Sequence, residues 1–577
     1  MEESDFDVLT IGLVQMRLER HLHSNRDKII RFIREASLRG CRLVVFPESA
    51  LHSPEDTVNS EIDSAIASVK KAADDYSIYV MFCVPYRLKA GERRLNWLLV
   101  VNPDGKVIHS YHKLYDMASL GVYTEVPGLF YIDGIPCNAM ICADRWIRAV
   151  EELPVMKGSK IMFDCSGNYN DEWIPELGWF WCVPRAIRNG AYAAFINIPK
   201  DNPALKGVSL DGGHGHTVVI APDGSVEVAV AEEADQLVVG ALDLSKATRA
   251  RAVERFNHPI FKPFWHTGVR IMEGESVAVP PVEGYVSPEI PIKIAVAQMA
   301  CSKNIEDNVA RMQRMIETAK SNHADVVAFP ELAVTGALDE DIVSSDQAEL
   351  NGALTQLQGT AKAQQIYVVF GMPHREREKR WNSAFVLGPE GTILTRNDQL
   401  AVDHTSVFEA GTSTRSMWFR VKGVPSVVTI GHDAVWSEIA ELAALRGAQI
   451  HFNICYDRDT TAEGTLRRKQ FWANLASFRT FTATVNAATS VEAVKPSADA
   501  NGGSIIWEDL NRGNRWRNPM STYWPYQAVP LAEAKTHETI IYGMEIVNER
   551  NPHLGFMTYV NPQMRSWYEL GARIIDS

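Results

Sequence analysis

Arg42-Leu-Val-Val-Phe-Pro-Glu48 and Asp325-Val-Val-Ala-Phe-Pro-Glu331 decide how this chain is read. Each begins as a short apolar run, the pattern of a strand buried on both faces, and each stops at Phe-Pro-Glu. Strand ends in α/β folds open onto clefts, so a carboxylate there is a site-like placement. Ahead of each lies another predicted strand, Val8 to Gln15 and Ile292 to Gln298, followed in both cases by Met. A helix is expected in between. Ile29, Phe32, Ile33 and Ala36 give the first, about Ser24 to Leu38, one apolar face, and Val309, Met312, Ile316 and Ala319 do so for the second. Gln15 stands as far from Glu48 as Gln298 does from Glu331.

The correspondence continues. Ile78-Tyr-Val matches Ile366-Tyr-Val, Asn96…Pro103-Asp-Gly105 matches Asn382…Pro389-Glu-Gly391, and Gly134-Ile-Pro136 matches Gly423-Val-Pro425. Asn197 and Asn486 each close an apolar run. A period of about 285 residues is too long for a solenoid and marks a duplicated domain. The expected organisation is a domain over 1–275, a Pro-rich extended linker over 276–291 and a second domain over 292–577. Each half alternates strands with helices early and ends in strand-like runs such as His216 to Ala221 and Gln236 to Leu242, so each reads as a layered α/β fold.

Composition narrows the function classes. A net charge of −13 argues against nucleic acid or an anionic membrane as main partner. The start, Met-Glu-Glu-Ser-Asp-Phe-Asp, has the character of neither a secretory signal nor a transit peptide, and no apolar run approaches the ~20 residues of a membrane helix. The eight scattered cysteines include no CxxC pair and no zinc-like spacing with histidine, the usage of a reducing cytoplasm. Neither a phosphate-binding GxxxxGK[ST] nor a strand–GxGxxG–helix occurs, so no nucleotide cofactor is indicated.

Within the first half, Cys137 to Ile141 reads as a short strand ending at Cys142, with a helix expected from Ile147 to Lys157. A thiol on that turn faces the positive end of the helix, which lowers its pKa. Glu48, Lys113 (in Tyr111-His-Lys-Leu114) and Cys142 all stand at predicted strand ends. They suit attack on an amide carbonyl: Cys142 as nucleophile, Glu48 as proton acceptor, Lys113 as positive charge for the developing oxyanion.

The order Phe-Pro-Glu48, His-Lys113, Ile-Cys142-x-Asp144 resembles the nitrilase, or carbon–nitrogen hydrolase, superfamily with its Glu-Lys-Cys triad. Arg185-Ala-Ile-Arg-Asn189…Asn197 and Gly215-His-Thr217…Pro222-Asp-Gly224 are similar to it too. The resemblance implies an αββα sandwich, a thioester acyl-enzyme releasing ammonia or an amine, and no metal or cofactor. It also implies pairing of subunits across the nucleophile-bearing faces, here as an intramolecular pseudo-dimer of the two halves, with a further homo-oligomer open. Many members carry a second Glu before a Pro-Gly. Glu125, ahead of Pro127-Gly128, is the candidate accessory residue although it stands closer than the pattern asks, and His112 and Tyr123 are alternatives.

Cys142-Ala-Asp144 sides with amidase-type branches rather than with the Cys-Trp-Glu of nitrilases. Cys-x-Asp-Arg is also similar to N-carbamoyl-amino-acid hydrolases, in which the Arg holds a substrate carboxylate. Arg145 either does this or pairs locally with Asp144 or Glu151, and Trp146 occupies the place of a second Arg. Trp173, Trp179 and Trp181 read either as a pocket wall or as core, and His214 and His216 as neighbours of the site or loop residues. The candidate substrate-binding set is therefore Arg145, Trp146, Trp173 and His216.

In the second half Glu331 stands, but Gln399 replaces Lys113 and Gly431 replaces Cys142, so that half is expected to be catalytically inactive. It then serves either as a permanent partner for the first half or as a regulatory site in a pocket widened by the lost side chains. Cys455 reads as core. The expected activity is cysteine-dependent hydrolysis of a small amide; a ureido substrate, a nitrile and a non-catalytic binding protein are the competing readings.

Overall fold

A computed structural model of the protein describes residues 8–89, 92–119, 122, 125–167, 173–200, 212–230, 235–403, 406–478, 480–489, 500–507, 530–547 and 562–577. The chain divides into two compact units, Met1–Val279 with Leu554–Tyr568, and Pro280–His553 with Glu569–Ser577.

Among the described residues the first unit has twelve strands: β1 (Val8–Gln15), β2 (Leu43–Val45), β3 (Tyr79–Tyr86), β4 (Leu95–Val101), β5 (Val107–His112), β6 (Phe130–Ile132), β7 (Ile135–Ile141), β8 (Ile161–Cys165), β9 (Tyr192–Ile196), β10 (Val218–Ile220), β11 (Val226–Ala229) and β12 (Gln236–Asp243). They form two six-stranded sheets, in the orders β12-β1-β2-β3-β4-β5 and β11-β10-β9-β8-β7-β6. The centre of each is parallel: β1, β2 and β3 in one, β7, β8 and β9 in the other. Parallel strands are covered on both faces, which is why these segments are continuous apolar runs. Helices Leu22–Leu38 and Asn59–Asp75 bury Ile29, Phe32, Ile33, Ile62, Ile66 and Val69 against Val14, Val44, Val80 and Phe82 of the first sheet. Helix Cys182–Asn189 packs beside β9 of the second.

The second unit repeats this with β13 (Ile290–Gln298), β14 (Val326–Ala328), β15 (Tyr367–Glu376), β16 (Lys379–Leu387), β17 (Ile393–Asp398), β18 (Trp418–Val421), β19 (Val424–Ile430), β20 (Ile450–Ile454), β21 (Phe481–Val485), β22 (Ile505–Trp507), β23 (Pro530–Glu533) and β24 (Thr539–Val547). Its sheets run β17-β16-β15-β14-β13-β24 and β18-β19-β20-β21-β22-β23, the same two orders. Ile294, Val296, Val326 and Val369 of one sheet meet Val428, Ile430, Phe452 and Phe481 of the other in a common core. Each unit is an αββα sandwich.

One expectation is corrected. The helix predicted from Ile147 to Lys157 is two short helices, Arg148–Glu151 and Leu153–Lys157, preceded by a 3-10 turn (Cys142–Trp146). Pro154 causes the break: it has no N–H to give to the preceding turn, and its ring is tolerated only in the first turn of a new helix. Cys142 therefore does not face the end of a long helix, and its positive charge comes from elsewhere. A smaller difference is that β13 begins at Ile290 and contains Pro291, which lies where only β24 pairs with it; β14 joins from Ile294 onward. Among the described residues no helix is long and apolar enough to cross a membrane.

Candidate active site

Ile141 pairs with Cys165 at the last rung of β7 and β8, and the next residue is Cys142. Its φ of 49° lies in the left-handed region, costly for a residue with a side chain. Strain of this kind is held in place by its surroundings, here a thiol only 4% exposed at a parallel strand end. The equivalent Gly431 has φ 45°, so the turn itself is a property of the fold and survives loss of the cysteine.

Glu48 follows β2 and Lys113 follows β5, both in the facing sheet. Lys113 Nζ lies 2.6 Å from Glu48 Oε1, with the two residues 7% and 4% exposed. Burial opposes the lysine's charge, but the attraction of Glu48 and of Cys142 outweighs it and holds Lys113 well above the ordinary lysine range. The site thus contains a fixed cation beside both the carboxylate and the thiol.

Two further residues set this geometry. Asn96 Nδ2 donates to the same Glu48 Oε1 at 2.9 Å, its Oδ1 accepts from Ser49 Oγ at 2.5 Å, and its carbonyl accepts from the Lys113 N–H at 2.8 Å. Asp144 accepts from the Leu114 N–H (3.0 Å) and the Tyr115 N–H (2.9 Å), the first turn of the helix Leu114–Ser119. One carboxylate thus ties the Cys142 turn to the segment that carries Lys113. Burial pushes Asp144 up to about 7, despite the nearby Lys113 and these two N–H donors. The repeat carried the signal for both residues, since Asn382 and Asp433 stand at the matching positions.

A brace links the two sheets. Asn197 N–H donates to Thr217 Oγ1 (3.0 Å), Asn197 Nδ2 to the Gly215 carbonyl (3.1 Å), and the Thr217 N–H to Gln15 Oε1 (3.1 Å). In the second unit Asn486 donates likewise to Ser504 Oγ and the Gly502 carbonyl, both at 2.9 Å, and the Ser504 N–H to Gln298 Oε1 at 2.9 Å.

The remaining predicted residues are distributed differently. Glu125 is exposed on the loop before β6, and no described contact joins it to Glu48, Lys113 or Cys142. His112 stacks on Trp97 (5.4 Å), and burial lowers its pKa; Tyr123 lies outside the described residues. Arg145 pairs with a carboxylate further along the chain than the two named above, Asp164, with Nε to Oδ2 at 2.7 Å, and it also donates to Ser166 Oγ. At 0% exposure its guanidinium does not present itself to a substrate carboxylate. Trp146 ends the 3-10 turn, half-buried. Trp173 and His216 are stacked at 3.7 Å with their planes 9° apart. Among the described residues no three His, Cys, Asp or Glu side chains gather as a metal site would require.

In the second unit the corresponding place is filled. A Cβ on Gly431 would meet Glu331 Oε2 at 2.7 Å and Gln399 Nε2 at 3.2 Å. Glu331 accepts from Asn382 Nδ2 (2.5 Å) and from the Tyr456 N–H (3.0 Å), and burial pushes it up to about 7 with no lysine beside it. Glu331 and Gln399 thus lie against the place that a side chain at position 431 would take. Cys455 is buried, with its thiol pushed up by burial.

Two sheets thus bring a buried Glu–Lys pair and a cysteine on a strained turn together. The chain belongs to the carbon-nitrogen hydrolase family, whose model matches residues 10–252 and again 293–510. It is 25% identical over 252 residues to the omega-amidase NIT2 of Danio rerio, covering 42% of this chain and 87% of that one. It is 34% identical over 120 residues to a glutamine-dependent NAD(+) synthetase of Acinetobacter baylyi, a match spanning 20% of this chain and 22% of the synthetase. Among solved structures, an amidase of the nitrilase superfamily from Nesterenkonia sp. AN1 aligns over 46% of this chain and 93% of its own, with 18% identity and a TM-score of 0.38.

Proposed function

We propose that the first unit hydrolyses a small amide through a thioester on Cys142, and that the second unit is not catalytic. The observation that carries this reading is the buried Lys113–Glu48 pair at 2.6 Å, electrostatically coupled to a cysteine on a strained turn. Glu48 takes the thiol proton as sulfur attacks the carbonyl carbon. Lys113 stabilises the oxyanion that develops, in a site from which water is largely excluded. The C–N bond then breaks and Glu48 returns its proton to the leaving nitrogen, leaving a thioester. Glu48 next takes a proton from water, whose oxygen attacks the thioester, and the thiol leaves with that proton as the carboxylic acid is formed.

The relatives named as omega-amidases support an amide over a nitrile. A ureido substrate anchored by Arg145 is disfavoured, because that guanidinium is buried against Asp164. Gly431 and Gln399, in place of a nucleophile and a cation, support an inactive second unit. The test is ammonia release from a panel of primary amides, N-carbamoyl amino acids and nitriles, wild type against Cys142→Ala. Release from amides that disappears in the variant is the expected result. Undiminished release from Cys142→Ala removes the reading.

A further inference from the structure

The internal repeat acts as a control on the site, since one copy retains a nucleophile and the other does not. Register pairs Ile161 with Tyr192 and Ile450 with Phe481, so the positions between correspond one for one. The matching asparagine bonds extend the correspondence to Gly215 and Gly502. Gln15, Glu48, Asn96, Asp144 and Asn197 are all kept in the second copy. Besides Lys113 and Cys142, six changed residues that lie near one another are Arg145 to Ala434, Asp164 to Asn453, Trp181 to Gln470, Phe195 to Thr484, His214 to Asn501 and His216 to Gly503.

The changed residues form one cluster in the first unit. Arg145, held by Asp164 and Ser166, lies 5.2 Å from the centre of the Phe195 ring and 5.8 Å from that of Trp181. His214 stacks on Phe195 (5.6 Å) and sits 5.3 Å from Trp173, which stacks face to face on His216. His214 is 0% exposed, and neither ring nitrogen has a hydrogen-bond partner among the described residues. Burial, with His216 and Arg145 beside it, keeps that ring uncharged. Trp173 and His216 are the half-buried end of the cluster.

Strand register relates the cluster to the nucleophile. Continued past the last paired rungs, the register of β7, β8, β9 and β10 brings Cys142, Ser166, Asn197 and His216 to the same end of the sheet. At ~4.8 Å per strand, His216 stands roughly 14 Å across the sheet from Cys142. We propose that the Trp173–His216 stack, with His214 behind it, is the distal acyl subsite of the first unit, and that it takes an uncharged planar ring joined to the amide through a flexible spacer. This inference rests on the amidase reading. The wall offers ring faces and edges for stacking. Its guanidinium is committed to Asp164, so a substrate carboxylate would lose its hydration without gaining that cation.

The test compares ω-phenyl alkanamides of three to six chain carbons with the unbranched amides of the same chain and with their ω-carboxy analogues. In the wild type the best phenyl amide is expected to exceed its alkyl counterpart in kcat/KM by about tenfold or more, the order that one well-placed ring contact supplies. The Trp173→Ala and His216→Ala variants are expected to bring that ratio close to one. General damage to the fold lowers both rates and leaves the ratio standing, so the ratio, with Trp173→Phe retaining part of it, reports the subsite. A wild-type ratio near one, or preference for the ω-carboxy amide, overturns the proposal. If no amide is turned over, the amidase reading fails instead. Calorimetric titration of 4-phenylbutanamide into Cys142→Ala then judges the subsite alone: saturable binding lost on adding Trp173→Ala supports it, and absence of binding overturns it.

Discussion

Replacing Asn96 with alanine removes one of two donors to a single carboxylate oxygen. Glu48 Oε1 is held by Lys113 Nζ at 2.6 Å and by Asn96 Nδ2 at 2.9 Å, which leaves Oε2 as the oxygen able to take a proton. A hydrogen bond to an ionised group contributes about 1.5–3 kcal/mol, so kcat/KM is expected to fall roughly 10- to 150-fold. Ammonia release is measured at one pH, with thermal unfolding as the check on folding. The matching change in the second unit, Asn382→Ala, is expected to leave kcat/KM where it was. A folded Asn96→Ala enzyme with wild-type kcat/KM would refute the assignment of Glu48 as base and Asn96 as the residue that aims it.

Other expectations follow from distances already given. In a Cys142→Ala background, Gly431→Cys with Gln399→Lys is expected to restore no ammonia release, because Glu331 Oε2 stands 2.7 Å from where the new Cβ must go and the Arg145 cluster is missing; turnover above background would count against an inactive second unit. Arg145→Met leaves Asp164 buried without its main partner and is expected to destabilise the first unit by about 3–5 kcal/mol, read as a lower unfolding midpoint in urea, with Arg145→Met/Asp164→Leu recovering part of it. Glu331 is raised from 4.5 to about 7, so the folded state holds its proton more tightly than the unfolded chain does. Stability from this group is therefore greatest below pH 4.5 and is lost as pH rises to about 7, a loss of about 3 kcal/mol that Glu331→Gln abolishes; an identical fall of Tm with pH in the variant would contradict it.

Much of this was legible along the chain. Continuous apolar runs capped by Phe-Pro-Glu reveal strands covered on both faces, and their recurrence in register reveals the duplication. Helix continuity was less legible: periodicity after Cys142 suggests one helix, and Pro154 divides it. The contacts of Arg145 were not legible either. Asp144 and Glu151 are near in sequence, yet the partner is Asp164 on the next strand, brought alongside by parallel pairing of β7 with β8.

By itself the sequence determined the duplication and the strand-rich core of each half, and it offered Glu48, Lys113 and Cys142 as candidates, because burial and strand-end chemistry are written in local pattern. Only the tertiary structure decided which groups share a hydrogen bond. Asn96 against Glu48 depends on the order of strands within one sheet, whereas Asp144 against the helix after Lys113 and Glu331 against Gly431 depend on the facing of two sheets, and side chains that meet in these ways come from strands whose separation in sequence carries no periodicity.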